Sequence, residues 1–266
     1  MTVLDEIIAG VRADLDERRA HTSLAQLAQR VDQQPRAKDA LAALAGPTIS
    51  VIAEVKRASP SKGALADIPD PAALAGIYES GGASAISVLT ERRRFSGSLA
   101  DLDAVRQRVE LPVLRKDFMV STYQIWEARA HGADLILLIV AALDDDQLSR
   151  YLRLAHDLGM TALVEAHDLP EAERALGAGA HLIGVNARNL KTLEVDPDHA
   201  CRVLEQLPED VTTVGESGIA TTAEVQRYAE AGASAVLVGE TLVRSGDPAA
   251  ALAAFSAVER RPHGAR

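Results

Sequence analysis

One arrangement recurs five times along the chain and limits its possible folds more than any other feature. A polar, helix-compatible stretch ends at a glycine, one or two short spacer residues follow, and an apolar run begins. Gly82-Ala83-Ser84 precedes AISVL, Gly132-Ala133-Asp134 precedes LILLIV, and Gly159-Met160-Thr161 precedes ALVE. Gly179-Ala180-His181 precedes LIGV, and Gly232-Ala233-Ser234 precedes AVLVG. A glycine just beyond a helix takes the left-handed conformation that ends it. A short, continuous Val/Ile/Leu run is a strand buried on both faces, which favours parallel pairing. Three more strands lack this lead-in: residues 48–55 (TISVIAEV), 111–116 (LPVLRK) and 211–216 (VTTVGE). Eight strands alternating with helices over about residues 48–260 predict an α/β fold, a (β/α)8 barrel of the TIM type. The competing architecture is an open doubly wound sheet, but no dinucleotide fingerprint opens the chain.

The 266 residues read as one domain, with residues 1–47 as an N-terminal helical extension and 48–260 as the barrel. Val3, Leu4, Ile7, Ile8, Val11 and Leu15 form a helical apolar stripe. Ser23 can cap a second helix carrying Leu24, Leu27 and Val31, and a third short helix is expected over residues 38–44. These helices either close the bottom of the barrel or lie over its mouth; the sequence leaves both open. The chain after about Glu259, residues 261–266 above all, reads as a disordered tail.

Composition narrows the function classes. Lys plus Arg number 28 and Asp plus Glu 38, a net charge of −10, with 47% apolar and 3% aromatic residues. That apolar content excludes a disordered chain. A single cysteine, Cys201, excludes a disulfide scaffold, and its place in a predicted helix marks it as a small buried apolar residue. The longest apolar run, residues 135–143, falls short of the ~20 residues that span a bilayer. Asp5 and Glu6 with no basic start argue against a signal peptide, so a cytoplasmic protein is expected. An acidic chain with so few aromatics is a poor nucleic-acid binder, and neither nucleic acid nor membrane is an expected partner. The histidines lack metal-type pairing, and Asp144-Asp145-Asp146 reads as a helix N-terminus, so no metal is expected. Trp126 is expected in the core.

In such barrels chemistry gathers where strands end. The first predicted strand ends in EVKRASPSKG, where Glu54 and Lys56 point to the same side. The third ends in Lys116-Asp117-Phe118, the fifth in Glu165, and the sixth runs into Asn186-Ala187-Arg188-Asn189. The seventh ends in Glu216-Ser217-Gly218 and the eighth in Gly239-Glu240. Lysines, an arginine, carboxylates and an amide thus converge on one rim. A lysine in a dry site or among cations has a lowered pKa, whereas carboxylate neighbours keep it charged. For Lys56 and Lys116 the sequence leaves that balance open. Ser217-Gly218, and the short helical turn GETLVR before a second helix start at Asp247-Pro248, match the recurrent phosphate cradle of this fold. Ser59 and Gly63 could add donors, and the plainer alternative is that Gly218 and Gly239 only permit tight turns.

EVKRASPSKG, LRKDF, LLIVAAL, LVEAHD, GVNARNL, GESGI and VLVGETL, in this order, resemble the indole-3-glycerol phosphate synthases of tryptophan biosynthesis over nearly the whole chain. The resemblance implies a cofactor-free carbon–carbon lyase. Such an enzyme converts 1-(2-carboxyphenylamino)-1-deoxyribulose 5-phosphate into indole-3-glycerol phosphate, carbon dioxide and water. It implies Lys116 as the general acid and Lys56 as the lysine that contacts the substrate carboxylate. Glu54 and Glu165 become the carboxylates that orient the lysines and relay protons. Asn186, Arg188, Glu216, Ser217 and Phe118 become substrate-binding positions, and Ser59, Gly218, Gly239 and Glu240 phosphate-site positions. Glu240 departs from members with Ser there, and its side chain must turn away from a phosphate. The expected partner is the phosphorylated anthranilate–ribulose substrate, and a monomer is expected over an obligate oligomer. Two alternatives remain: a phosphoribosyl sugar isomerase on the same barrel, and a non-catalytic phosphate-ligand binding barrel.

Overall fold

A computed structural model describes residues 2–189 and 192–261. Eight parallel strands form a closed barrel: β1 (Ser50–Val55), β2 (Ala85–Leu89), β3 (Val113–Lys116), β4 (Leu135–Ile139), β5 (Thr161–Ala166), β6 (Leu182–Asn186), β7 (Thr212–Glu216) and β8 (Ala235–Val238). Closure is explicit at β1, which pairs with β2 on one side (Ile52 opposite Ala85) and with β8 on the other (Val51 opposite Val236). That closure excludes the open doubly wound sheet. The five glycines of the repeat all have left-handed φ, from 76° at Gly132 to 99° at Gly232.

Alternation along each strand divides the core into two layers. Ile52, Leu114, Leu135, Leu137, Leu163 and Leu182 fill the barrel, while Val51, Ile136, Leu138, Val164 and Ile183 face the surrounding helices. Each buried Leu, Ile or Val contributes roughly 1.5–3 kcal/mol of transfer free energy. Following the inward parity toward the strand ends, Ile52 gives way to Glu54, Leu114 to Lys116, Leu163 to Glu165 and Val214 to Glu216. The same face of the sheet is therefore apolar at the bottom and ionisable at the mouth.

The N-terminal extension serves both ends of the barrel. Helix α1 (Val3–His21) lays Val3, Leu4 and Ile7 over the mouth. Asp14 pairs with Arg92 at 2.9 Å and Arg93 at 2.8 Å, and Glu6 with Arg94 at 2.9 Å, which straps α1 to the loop after β2. Helix α2 (Leu24–Gln33) begins with the expected Ser23 cap. It packs on the barrel's flank through Leu27 and Tyr123; Trp126 borders this small cluster and is only half-buried, not a core residue. Helix α3 (Ala40–Ala43) is shorter than expected. Its Ala40, with Leu44, plugs the bottom, where the Leu44 carbonyl accepts a 3.2 Å bond from Ser50 Oγ.

Along the barrel Asp144 caps a helix and Cys201 is buried in another, both as expected. Arg260 lies within the stretch expected to be disordered, yet it is tied down. Its N–H donates to the Pro47 carbonyl at 2.9 Å and its guanidinium to Ser234 Oγ at 2.7 Å. The remainder of the expected tail, residues 262–266, lies outside the described residues. Among those described, no helix is long and apolar enough to cross a membrane.

Candidate active site

At the end of β1, Glu54 is buried and its Oε1 lies 2.6 Å from Lys56 Nζ, while Ser87 Oγ of β2 donates to its Oε2 at 3.3 Å. Burial works to raise the Glu54 pKa, but the ammonium groups of Lys56 and Lys116 outweigh it and hold the carboxyl below its usual range. Gly239, just past β8, has φ −123° and so is not needed for a left-handed turn. A Cβ there would stand 2.6 Å from Glu54 Oε1 and 3.1 Å from Lys56 Nζ. Glycine at this position serves the close approach of the ion pair, which corrects the tight-turn alternative for Gly239. Gly218 does sit in the left-handed region, at φ 70°.

Lys116, at the end of β3, reaches into the centre. Its Nζ is 3.4 Å from Glu165 Oε2 and 3.6 Å from Glu216 Oε2. Burial disfavours the ammonium, yet Glu165, Glu216 and Glu54 together push the pKa above its ordinary value. Of the two outcomes left open by the sequence, the structure therefore takes the charged one for Lys116. Burial is the largest influence on Glu165 and works to raise its pKa, but Lys116, His167 and the hydrogen bonds from Asn186 and Glu216 together hold it below the usual carboxylate range. Glu216, buried beside that anion, is raised well above the usual carboxylate range and hydrogen-bonds to Glu165. Space for Glu216 comes from Gly184 on β6, since a Cβ there would fall on Glu216 Oε1, far inside van der Waals contact.

Asn186 Oδ1 accepts from Ser217 Oγ at 2.8 Å and from the Arg188 N–H at 2.9 Å, while its side chain also bonds Glu165. Phe118 packs on Phe95 with ring centroids 6.1 Å apart. With Leu137, Ile139 and Leu4 these rings make one apolar wall.

The RKDF block is split by strand alternation. Lys116 and Phe118 face the cavity, whereas Arg115 does not border it and the Asp117 carboxylate is paired with Arg115 at 2.9 Å. Arg115 is fully buried and also pairs with Glu127 at 2.9 Å. This buried network anchors the backbone on either side of Lys116.

The opposite end of the cavity is shaped for an anion by main chain. Ser217 and Gly218 are consecutive left-handed residues, both at φ 70°. The Ser217 hydroxyl is committed to Asn186, so free donors here are main-chain N–H groups. Among the described residues, the Gly218 and Gly239 N–H groups have no main-chain acceptor. The predicted short helix is present as Glu240–Arg244, and a second starts at Pro248 with Asp247 as its cap. Ser59 lies in a hairpin (Ala58–Ser59 against Gly63–Ala64) on the cavity's edge. The Glu240 carboxylate is drawn to Lys62 at 2.8 Å and Arg244 at 3.2 Å. Arg188 Nη1 donates to the Leu193 carbonyl at 3.1 Å and to Ser61 Oγ at 3.3 Å, tying its loop to the hairpin.

The candidate residues named from the sequence line one open cavity of about 990 Å³, except Gly63, which was expected to add a donor and does not border it. Among the polar residues around it that were not anticipated are Lys62 and His167. Lys62 sits three residues past Ser59 in a loop, where no periodicity reveals direction. His167 lies on the inward parity two residues beyond Glu165, a signal the alternation could have supplied.

The family model for indole-3-glycerol phosphate synthase matches residues 4–255. An indole-3-glycerol phosphate synthase of Streptomyces griseus is 60% identical over 98% of this chain and 97% of its own length. One from Micrococcus luteus is 62% identical over 97% of this chain and 98% of its own. Among solved structures, 3-hexulose-6-phosphate synthase from Salmonella typhimurium shares the fold, with a TM-score of 0.65 and 17% identity over 78% of this chain and 97% of that one. The N-acetylmannosamine-6-phosphate 2-epimerase of Clostridium perfringens does so with a TM-score of 0.59 and 14% identity, over 74% of this chain and 89% of that one. With a full-length family match, relatives at about three-fifths identity and a barrel whose mouth gathers the expected side chains, this chain belongs to the indole-3-glycerol phosphate synthase family.

Proposed function

We infer that the protein is a decarboxylating lyase that closes the indole ring of 1-(2-carboxyphenylamino)-1-deoxyribulose 5-phosphate to give indole-3-glycerol phosphate. The observation that carries the assignment of roles is the Lys116 ammonium, held between Glu165 and Glu216 and facing the aromatic wall.

In this reading the substrate's benzoate ring lies along Phe118 and its phosphate meets the N–H groups of Gly218 and Gly239, with Ser59 at the edge. The net charge of −10 opposes an anionic ligand, so binding depends on local cations and main-chain dipoles. Arg188 and Lys56 are the cations for the carboxylate. Lys116 donates its proton to the ribulose carbonyl oxygen as the ring carbon bearing the carboxylate attacks. An ammonium already placed at the developing oxyanion stabilises that transition state. Carbon dioxide then leaves and its bonding pair restores the aromatic ring. Loss of the new hydroxyl as water needs a proton donor at that oxygen and a base for the carbon next to nitrogen. Lys56 supports the first role, and the ionised Glu165, with Glu54, the second.

The cavity is lined by this chain's own elements, which favours a monomer as the working unit. The deciding experiment supplies purified protein with the substrate and follows indole fluorescence together with released carbon dioxide. Appearance of both supports the reading. A sugar isomer without gas would identify an isomerase, and binding without turnover a non-catalytic barrel.

A further inference from the structure

His167 takes no part in the roles assigned above, yet it touches the site from behind. Its ring is largely buried one residue past the end of β5. Nδ1 lies 3.0 Å from Glu171 Oε2, in the helix Leu169–Gly177, and the His167 main-chain N–H donates to the same oxygen at 2.9 Å. Nε2 points to Glu165 Oε1 at 3.6 Å and, among the described residues, has no hydrogen-bond partner.

The geometry distinguishes the two protonation states of the ring. A neutral imidazole that donates from Nδ1 to Glu171 turns the Nε2 lone pair toward a carboxylate oxygen. An imidazolium turns an N–H toward it. The other groups around the ring do not reverse this. Asp168 at the helix cap adds negative charge, and His199, from the helix that follows β6, contributes Nε2–H to the His167 carbonyl at 3.0 Å. Around Glu165 itself stand Lys116 of β3, Asn186 of β6 and Glu216 of β7. Glu165 is thus bracketed by Lys116 in front and His167 behind, whereas, among the described residues, Glu216 faces Lys116 alone of the cations within 4 Å.

We propose that His167, clamped by Glu171, is a positioning residue that holds Glu165 as the ionised, proton-accepting member of the Glu165–Glu216 pair. The inference rests on the reading of Glu165 as a catalytic base. Burial alone disfavours the imidazolium, but its two carboxylate neighbours outweigh this and raise its pKa, in keeping with the geometry.

The test measures single-turnover rates against pH for His167→Gln and Glu171→Gln, with product affinity and circular dichroism as controls. Loss of the cation makes Glu165 easier to protonate, so the acidic limb of the rate profile moves upward in pH. The expected result for His167→Gln is an acidic limb moved upward by about one pH unit, so that the loss approaches tenfold only at pH below the wild-type limb. The loss shrinks to within about twofold at pH 9, with product affinity nearly unchanged. Glu171→Gln shifts the limb in the same direction by less, and it keeps the proposal testable should the first variant fail to fold. Glu165→Gln separates the two claims. Near-normal turnover in that variant refutes the base role itself. An inactive Glu165→Gln, beside folded variants with an unmoved limb or an equal loss at every pH, overturns the role of His167 alone.

Discussion

Replacing Lys116 by Met removes one ammonium and keeps the length of the side chain. Nζ now sits 3.4 Å from Glu165 and 3.6 Å from Glu216, with Glu54 also acting on it. Two consequences follow at different magnitudes. First, the proton donor for the carbonyl oxygen is gone, and loss of one pre-placed donor costs ~3 kcal/mol, or ~100-fold in turnover. Secondly, a buried carboxylate cluster loses a cation, which costs about 3–5 kcal/mol if every carboxylate must stay charged. The second cost depends on pH. The folded-state pKa of Lys116 is raised, so its stabilisation is complete below the unfolded lysine value and fades only as pH rises through the folded value. The wild type therefore has the full contribution throughout pH 5–9. In the variant, Glu54 and Glu165 lose the neighbour that depresses them and take up protons more readily, so the stability deficit is smaller at pH 5 than at pH 8. Urea unfolding at the two pH values reads the deficit, and indole fluorescence reads turnover. Competition by inorganic phosphate is expected to be unchanged, because the proposed phosphate donors are main-chain groups of other loops. Near-normal turnover would remove Lys116 from the acid role, and a deficit independent of pH would refute the charge argument.

Glu216→Gln is expected to stabilise the fold at pH 8 by about 1 kcal/mol or more while lowering turnover. The folded-state pKa of Glu216 is raised, so the wild type loses stability as pH climbs from the unfolded carboxylate value toward the folded one, and Gln does not; equal unfolding midpoints at pH 8 would count against it. Gly184→Ala puts a methyl on the Glu216 carboxyl and 3.2 Å from Leu163 Cδ1. It should cost ~1–3 kcal/mol and at least tenfold in turnover, whereas Gly177→Ala, with nothing within 4 Å of its added carbon, should be neutral or stabilising. Arg188→Ala should weaken the carboxylate-bearing substrate more than indole-3-glycerol phosphate, measured by isothermal titration of product and a slow-turnover substrate complex. Equal losses for both would reject a carboxylate contact.

Most of the barrel was legible because its signals are local. A glycine at a helix end and an apolar run beside it need no knowledge of the rest of the chain, and Gly82, Gly132, Gly159, Gly179 and Gly232 all behave as expected. The candidate site was legible for a related reason: the ends of parallel strands must meet on one rim. Direction within a loop was not, which is why Lys62 escaped notice. Trp126 misled because an aromatic on an amphipathic helix does not reveal whether another helix covers it, and here α2 covers it only in part.

The linear order of residues by itself determined the strands, the helix stops, the closed α/β architecture and the identity of the groups at the mouth. Those depend on interactions between residues a few positions apart, or on a strand count. Tertiary structure alone decided that α1 covers the mouth while α3 plugs the bottom. It decided also that carboxylate neighbours hold Lys116 charged, that the Glu216 pKa is raised while that of Glu165 is lowered, and that Gly184 and Gly239 make room for carboxylates. The reason is the steep distance dependence of electrostatics and packing in a dry interior. A shift of an ångström in barrel register changes which oxygen meets which ammonium, and that register is set by all eight strands together.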